Sequence, residues 1–175
     1  MALKLDMSKA YDRVEWVCLE NIMLRLGFHR ELVDTVMSCV SFVVYSVCIN
    51  GKPRGCIIPS RGLRQGDPLS PYLLLLCAEG LSALLRHASE RGLIRGISVN
   101  YHAPRITHLF FAVDGLIFCR ATLEECSELE HIFSLYEGVS GQQLNKIEMT
   151  IFFSKNTPQA IQEEIKRCFS AQVIR

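Results

Sequence analysis

Residues 109–118 read LFFAVDGLIF, and this stretch decides the fold. Two apolar runs flank a short polar centre, and Asp-Gly between such runs is typical of a β-hairpin with a type I′ turn, whose two central residues need positive φ. The pattern predicts that Asp114 and Gly115 form the tip of a hairpin with buried arms. Asp114 could serve only the turn. Alternatively, it could be a metal ligand at a strand end, which requires a second carboxylate at a neighbouring strand end.

The chain supplies a second carboxylate near its beginning. Residues 2–7 alternate as a strand does, and Asp6 stands at the end of that strand. Residues 5–12, LDMSKAYD, and residues 62–72, GLRQGDPLSPY, precede the hairpin in that order. Together the three stretches closely resemble the palm of reverse transcriptases from non-LTR retrotransposons, particularly the plant type. The resemblance runs from about Ala2 to Asn156.

The resemblance implies an α+β fold with a polymerase-palm-like antiparallel sheet and helices packed on one face. The order of the predicted elements, in which helices and strands do not alternate strictly, favours the same class. We expect residues 1–156 to form a partial reverse transcriptase palm and fingers domain, and residues 157–175 a C-terminal helical extension. Upstream finger segments, the thumb and any endonuclease are expected to be absent, so the domain is predicted to be truncated.

The resemblance also implies nucleotidyl transfer, in which two Mg²⁺ ions stabilise the attacking and leaving oxygens. Asp6 and Asp114 are then the catalytic residues and metal ligands, with the main-chain carbonyl of Met7 as a further ligand. The implied partners are an RNA template, a DNA primer and a deoxynucleoside triphosphate (dNTP). We expect the carboxylates of Asp6 and Asp114 to lie side by side at neighbouring strand ends.

Further residues match substrate-binding positions of that family. Tyr11 would exclude the 2′-hydroxyl of a ribonucleotide, although without the motif it would be interpreted as a core or sheet-face tyrosine. Arg64 would contact phosphate. Gln65 and Gly66 would position the template and the incoming nucleotide, with glycine allowing a close approach of the main chain. Asp67 is more simply a turn residue before the helix that follows.

The sequence departs from the family pattern at two positions. The family hairpin carries two adjacent aspartates, and Val113 stands in place of the first, a principal metal ligand. Downstream, the family's Asn-x-x-Lys appears here as Asn145 to Glu148, with glutamate in place of the lysine near the triphosphate. Lys146 would face the same side as Glu148 on a strand, and whether it can replace the lysine stays open. Because valine cannot bind a metal ion, the first departure predicts a loss of catalysis.

A helix is predicted between the first strand and residue 27. Asp12 and Glu15 have capping-box spacing, apolar residues including Val17 recur at helical intervals, and Gly27 fits the position after the last turn. The capping role accounts for Asp12 without any part in the chemistry.

A long helix after residue 69 is predicted to be the centre of the core. Ser70 and Pro71 would open it as N-cap and N1, and an apolar stripe that includes Leu81 runs along one face. Gly80 costs roughly 1 kcal/mol relative to Ala in a helix interior. Its presence therefore indicates close packing against a neighbouring element.

A second hairpin is predicted at residues 50–51, Asn-Gly, and a dense basic stretch follows its turn. We call Lys52, Arg54, Arg61 and Arg64 the basic patch. Lys and Arg are usually solvated surface residues, but beside a polymerase-like motif a contact with nucleic-acid phosphates is favoured. We therefore predict that Lys52, Arg54 and Arg61 bind nucleic acid.

Composition limits the remaining classes. A formal net charge of +1 is weak for a nucleic-acid-binding protein, so binding must depend on a local patch. No uncharged run reaches the roughly 20 residues that a membrane span needs, and the eight cysteines form no C-x-x-C pair. These features predict an intracellular protein, nuclear or cytoplasmic, with reduced thiols and no membrane partner.

Two functions remain. The first is a reverse transcriptase domain of retrotransposon origin that has lost catalysis. The second is a non-enzymatic module, derived from the same ancestor, that binds nucleic acid or protein through the basic patch. Binding without polymerisation would favour the second.

Overall fold

The chain forms five helices and seven strands in the part that the structure describes. This structure is a computed structural model, and it describes residues 1–98, 100, 103–111, 113–169 and 172–173. The strands are β1 (Ala2–Asp6), β2 (Tyr45–Ile49), β3 (Lys52–Ile57), β4 (His108–Phe111), β5 (Asp114–Phe118), β6 (Thr150–Phe152) and β7 (Gln172–Val173). The helices are α1 (Trp16–Arg25), α2 (Arg30–Ser41), α3 (Ser70–Glu90), α4 (Leu123–Ser140) and α5 (Gln159–Phe169).

The strand β1 lies at the centre of a five-stranded sheet with the order β4-β5-β1-β6-β7. Neighbouring strands are antiparallel except β6 and β7, which run parallel. The predicted α+β fold with an antiparallel palm-like sheet is therefore confirmed. The sequence did not predict β7, which adds one parallel pair at the edge.

The sheet has one buried and one open face. Leu3 and Leu5 of β1, Ile117 of β5 and Ile151 of β6 are at most 1% exposed, and they form a first core with residues of α3, α4 and α5. Side chains alternate between the two faces of a strand, so the intervening residues point away from the helices. Among them Phe111 is 84% exposed. The predicted packing of helices on one face is confirmed, and the arms of the first hairpin are buried on that face only.

The helix predicted after residue 157 is α5. Its Ile165 and Phe169 are buried in the first core, where the rings of Phe169 and Phe133 of α4 have centroids 6.3 Å apart. The side chains of α5 therefore contribute to the same core as the sheet and α4.

The helix α3 connects the first core to a second one. Its later turns contribute Leu81 and Leu85 to the first core, and its earlier turns contribute Leu74 and Cys77 to the second, beside Met23 of α1. The central position predicted for this helix is confirmed. Although α3 has 21 residues, no helix in the described part of the chain is long and apolar enough to cross a membrane.

Close packing at Gly80 is also confirmed. A Cβ atom at this position would lie 3.3 Å from Cδ1 of Ile22 in α1 and 3.8 Å from Cε2 of Tyr136 in α4. The first of these distances is shorter than ordinary van der Waals contact, so glycine allows α1 to approach α3.

The start of α3 differs from the prediction by one residue. Leu69 is the N-cap, Ser70 is already helical and buried, and Pro71 follows it. The main-chain N–H of Leu69 donates a hydrogen bond of 2.8 Å to Oδ1 of Asp67. The capping role of Ser70 is therefore wrong, and the turn role of Asp67 is confirmed.

The first hairpin turns two residues earlier than predicted. β4 ends at Phe111 and β5 begins at Asp114, and these two residues are register partners, so Asp114 and Gly115 belong to a strand and Val113 lies in the turn. Gly115 is not among the residues with positive φ. A Cβ atom there would lie 2.8 Å from the ring of Phe110. Close side-chain packing, not turn geometry, requires glycine at this position.

The helix α1 begins later and buries a different face than predicted. Its N-cap is Glu15, with no side-chain capping bond, so the capping box that included Asp12 is wrong. Val17 is 70% exposed, whereas Leu19 is fully buried. The N–H of Glu15 donates to the carbonyl of Ser140, at 3.0 Å. A tertiary contact therefore helps to set the start of this helix.

The second hairpin has the predicted turn. Asn50 and Gly51 have φ values of 51° and 75°, as a type I′ turn requires. β2 and β3 pair antiparallel, and every residue of both strands is exposed. This hairpin therefore stands apart from both cores.

We expect Leu81→Asp to abolish the cooperative thermal unfolding transition. Leu81 is 1% exposed, and truncation of a buried leucine alone costs about 2–5 kcal/mol; a carboxylate without a partner adds a larger desolvation cost. Leu75→Asp is the matched control, because Leu75 lies on the same helix and is 46% exposed. An unchanged melting temperature for Leu81→Asp would contradict the central position of α3.

Candidate active site

Asp6 and Asp114 face each other across two antiparallel strands. Asp6 is the last residue of β1, Asp114 is the first residue of β5, and they are register partners. Residues directly opposite each other in an antiparallel pair project on the same face of the sheet. Their predicted placement at neighbouring strand ends is confirmed, whereas their part in catalysis and metal binding stays a prediction.

Both carboxylates lie on the open face of the sheet. Lys4 is two residues before Asp6 on the same face, and its Nζ lies 3.9 Å from Oδ1 of Asp114. The side chains of this pair are 51% and 54% exposed, so the attraction is weak and screened by solvent. A cation approaching Asp114 would therefore displace only a loosely held partner.

Asp6 has a second neighbour, Asn145, that was not among the predicted site residues. Nδ2 of Asn145 donates to Oδ2 of Asp6 at 3.3 Å, and the main-chain N–H of Asn145 donates to the carbonyl of Asp6 at 2.9 Å. The sequence signal for this residue is the family motif Asn-x-x-Lys, of which Asn145 is the first position. The prediction used only the last position, Glu148.

Val113 provides no metal ligand in the hairpin turn. Its side chain is half-buried and packs against the second core, as the side chains of Met7 and Tyr11 also do. Mg²⁺ prefers six oxygen ligands, and the carboxylates of Asp6 and Asp114 with the Met7 carbonyl could supply a few of them. Within the described ranges no group of three or more His, Cys, Asp or Glu side chains could hold a metal ion. These oxygens could contribute to the coordination of one divalent cation, and they are too few for a pair of ions.

Residues 62–72, the middle motif, are hydrogen-bonded to the chain near Tyr11, in the first motif of residues 5–12. The N–H of Leu63 donates to the carbonyl of Tyr11 at 2.7 Å, and the N–H of Gly62 donates to the carbonyl of Val14 at 2.8 Å. Gly62 has a φ of 91°, and a Cβ atom there would lie 2.9 Å from the carbonyl oxygen of Asp12. Tyr11 itself is half-buried against the second core.

The other predicted substrate-binding residues lie in an exposed turn. Arg64, Gln65 and Gly66 are all exposed, Gly66 has a φ of 88°, and the N–H of Asp67 donates to the carbonyl of Arg64 at 3.2 Å. The turn follows directly from Leu63, so it extends from the attachment point beside Tyr11. The structure brings these residues towards the first motif without a direct contact to Asp6 or Asp114 among the described contacts.

The basic patch is divided between two places. Lys52 and Arg54 are exposed on β3, in the second hairpin, whereas Arg61 and Arg64 lie in the following loop. Nη1 of Arg61 lies 3.2 Å from Oε1 of Glu15, so the charge of Arg61 is partly compensated. Within the described residues Lys52, Arg54 and Arg64 have no ion pair, so no carboxylate compensates their charges.

Residues 146–148 form a turn and not a strand. The N–H groups of Glu148 and Met149 both donate to the carbonyl of Asn145, at 3.1 and 3.0 Å. The strand expected here is therefore wrong, and with it the basis for placing Lys146 and Glu148 on the same side.

Among the described residues, burial shifts the pKa of several titratable groups in the interior. All eight cysteines are free, and burial raises the pKa of the thiols of Cys77, Cys119 and Cys126 to about 12. The pKa of His108 is lowered, mainly by burial, and its ring contacts the hydroxyls of Ser82 and Thr107 at 2.8 and 2.9 Å. These thiols are not nucleophiles at neutral pH, and the histidine connects β4 to α3.

Sequence comparison relates the chain to retrotransposon proteins. The family model "Reverse transcriptase (RNA-dependent DNA polymerase)" matches residues 1–157. The Pol polyprotein of the type-1 retrotransposable element R2 of Nasonia vitripennis is 33% identical over 121 residues, which cover 69% of this chain and 11% of that protein. An uncharacterised mitochondrial protein of Arabidopsis thaliana is 57% identical over 77 residues, 40% of this chain and 63% of that protein. The chain spans less than two thirds of either relative.

Solved structures with the same fold include two telomerases. The apo telomerase of Candida tropicalis, truncated from its C-terminal domain, has a TM-score of 0.67 and 13% identity, covering 90% of this chain and 31% of that one. The telomerase of Candida albicans, in complex with a fragment of telomeric RNA, has a TM-score of 0.66 and 15% identity, covering 90% and 28%. At such low identity these TM-scores establish the fold alone, and the family match over residues 1–157 establishes the ancestry. The chain is a reverse transcriptase domain of the retrotransposon type and belongs to the reverse transcriptase family.

Proposed function

We propose that this domain has lost nucleotidyl transfer. The observation that carries the proposal is Val113, an apolar, half-buried residue in the turn between β4 and β5, where the family places a metal-binding aspartate. One missing carboxylate removes a full negative charge from a site that must hold two dications. The remaining pair, Asp6 and Asp114, is sufficient for one cation at most.

The residues of the site have separate roles in this proposal. When bound, Mg²⁺ would stabilise negative charge on phosphate oxygens. Asp6, Asp114 and the Met7 carbonyl would hold that single ion, and the half-buried Tyr11 would limit the space for a 2′-hydroxyl. Arg64, Gln65 and Gly66 would contact the template and a dNTP from the exposed turn.

RNA template and DNA primer are the partners that this proposal assigns. A relative of the same fold, the telomerase of Candida albicans, is in complex with telomeric RNA. We also retain residues 1–156 as the ancestral domain with residues 157–175 as its extension. The match to the family model, which ends at residue 157, supports that division.

Primer extension on an RNA template tests the loss of catalysis. With either Mg²⁺ or Mn²⁺ we expect no product above that of the Asp6→Ala variant, the matched control in which a remaining carboxylate is removed. An active reverse transcriptase on the same primer–template verifies the assay. Extension that depends on Asp6 would contradict the proposal.

A second candidate function is nucleic-acid binding without catalysis. Residues 35–66 contain no acidic side chain, and within them Lys52 and Arg54 are exposed on β3 without an ion pair among the described residues. Attraction to phosphate is the usual consequence of such a surface, because each contact releases counterions. Binding to a protein with an acidic surface, and not to nucleic acid, would be the other outcome of a binding test.

We expect Lys52→Ala with Arg54→Ala to weaken binding to a primer–template and to make it less dependent on salt. Each lost phosphate contact reduces the magnitude of the slope of log K against log salt by about 0.9. The slope of the double variant should therefore be smaller by roughly two. Changing Arg61 should matter less, because Glu15 compensates its charge. Lys155→Ala with Arg167→Ala removes two exposed charges elsewhere and serves as the control. An unchanged slope for the first pair would leave these residues as ordinary solvated side chains.

A further inference from the structure

The end of β1 is held on the side opposite β5 by a segment outside the sheet. β6 pairs with β1 only along Ala2–Lys4. Past that point residues 143–145 replace β6, and Leu144 forms an antiparallel bridge with Met7. The strand end that carries Asp6 is therefore paired on both sides.

Asn145 makes two hydrogen bonds to Asp6. Its main-chain N–H donates to the carbonyl of Asp6 at 2.9 Å, which fixes the main chain at the end of the strand. Its Nδ2 donates to Oδ2 of Asp6 at 3.3 Å, which restricts rotation of the carboxylate. An ionised carboxylate has about four lone-pair sites, so Oδ1 and part of Oδ2 remain available to a cation.

Asn145 is itself held in place. Its carbonyl accepts from the N–H groups of Glu148 and Met149, at 3.1 and 3.0 Å. The N–H of the preceding Leu144 donates to Oε1 of Glu137 at 2.7 Å. Because Met149 is 2% exposed in the first core, this turn is anchored to the interior. A residue can orient its neighbour only when its own main chain is fixed in this way.

The chemistry of an amide suits this position. Asparagine donates a hydrogen bond without carrying charge, so it orients the carboxylate of Asp6 and leaves its negative charge for a cation. A lysine would neutralise that charge, and an aspartate would offer no donor and would repel it. Neutral donors that contact metal ligands typically change metal affinity by 10–100-fold when removed.

We propose that Asn145 is a positioning residue that holds the carboxylate of Asp6 in one rotamer for a cation. The effect on metal affinity rests on the proposed function, because it requires Asp6 to be a ligand. The effect on the rotamer does not, since it follows from the hydrogen bond alone.

The rotamer is tested without metal by NMR. Side-chain scalar couplings of Asp6 should report one χ1 rotamer in the unaltered chain and averaging in Asn145→Ala. Asn21→Ala is the matched control, because Nδ2 of Asn21 also donates one hydrogen bond, to the carbonyl of Val17 at 2.8 Å within α1. Couplings of Asp6 that are the same in all three proteins would overturn the proposal.

Metal affinity is tested by Mn²⁺ titration in the Val113→Asp background. Adding Asn145→Ala should weaken Mn²⁺ binding about tenfold, and it should have no effect once Asp6→Ala is also present. An equal loss in the presence of Asp6→Ala would overturn the proposal, because Asn145 would then act through the fold. If the Val113→Asp protein binds no Mn²⁺, the metal site of the proposed function fails, and the couplings of Asp6 still decide the role of Asn145.

Discussion

The register between β1 and β5 determines where the site lies. A slip of one residue would turn Asp6 towards the helices and Leu5 towards solvent, because side chains alternate along a strand. Leu3, Leu5 and Ile117 are at most 1% exposed, and each such buried side chain contributes about 1.5–3 kcal/mol. The apolar face therefore fixes the position of the two carboxylates on the other face. The exposed carboxylates contribute little to this placement.

Segments distant in sequence complete the surroundings of this strand end. The amide Nε2 of Gln142, a residue only 1% exposed, donates to the carbonyl of Ala10 at 2.8 Å. This hydrogen bond fixes the main chain of the first motif. Val113 packs against the second core and lines one cavity together with Gln142 and Met7. An aspartate in its place would add a third negative charge near Asp6 and Asp114 and would lose this apolar contact, so we propose that the valine favours stability at this position.

Sequence periodicity was sufficient for elements whose pattern agrees with their packing. The alternation of β1, the apolar stripe of α3 and the turn at residues 50–51 were all predicted. The turn predicted at Asp114 and Gly115 was wrong, because Gly115 pairs with Leu5 of β1 and with Phe110 of β4 in the sheet. The predicted start of α1 was wrong because the N–H of Glu15 donates to the carbonyl of Ser140, a residue distant in sequence. The bond between Asn145 and Asp6 spans 139 positions, so the family motif marks Asn145 without indicating its partner.

Thermal unfolding with and without Mn²⁺ tests most directly whether the missing carboxylate disables the site. Without metal, Val113→Asp should melt at a lower temperature than the unaltered chain, because it adds a like charge and loses an apolar contact. With Mn²⁺ at one hundred times its Kd, the variant should gain about 2.7 kcal/mol, and the unaltered chain should gain clearly less at the same concentration. Equal stabilisation of both proteins by Mn²⁺ would contradict the account, since Val113 would then make no difference to metal binding.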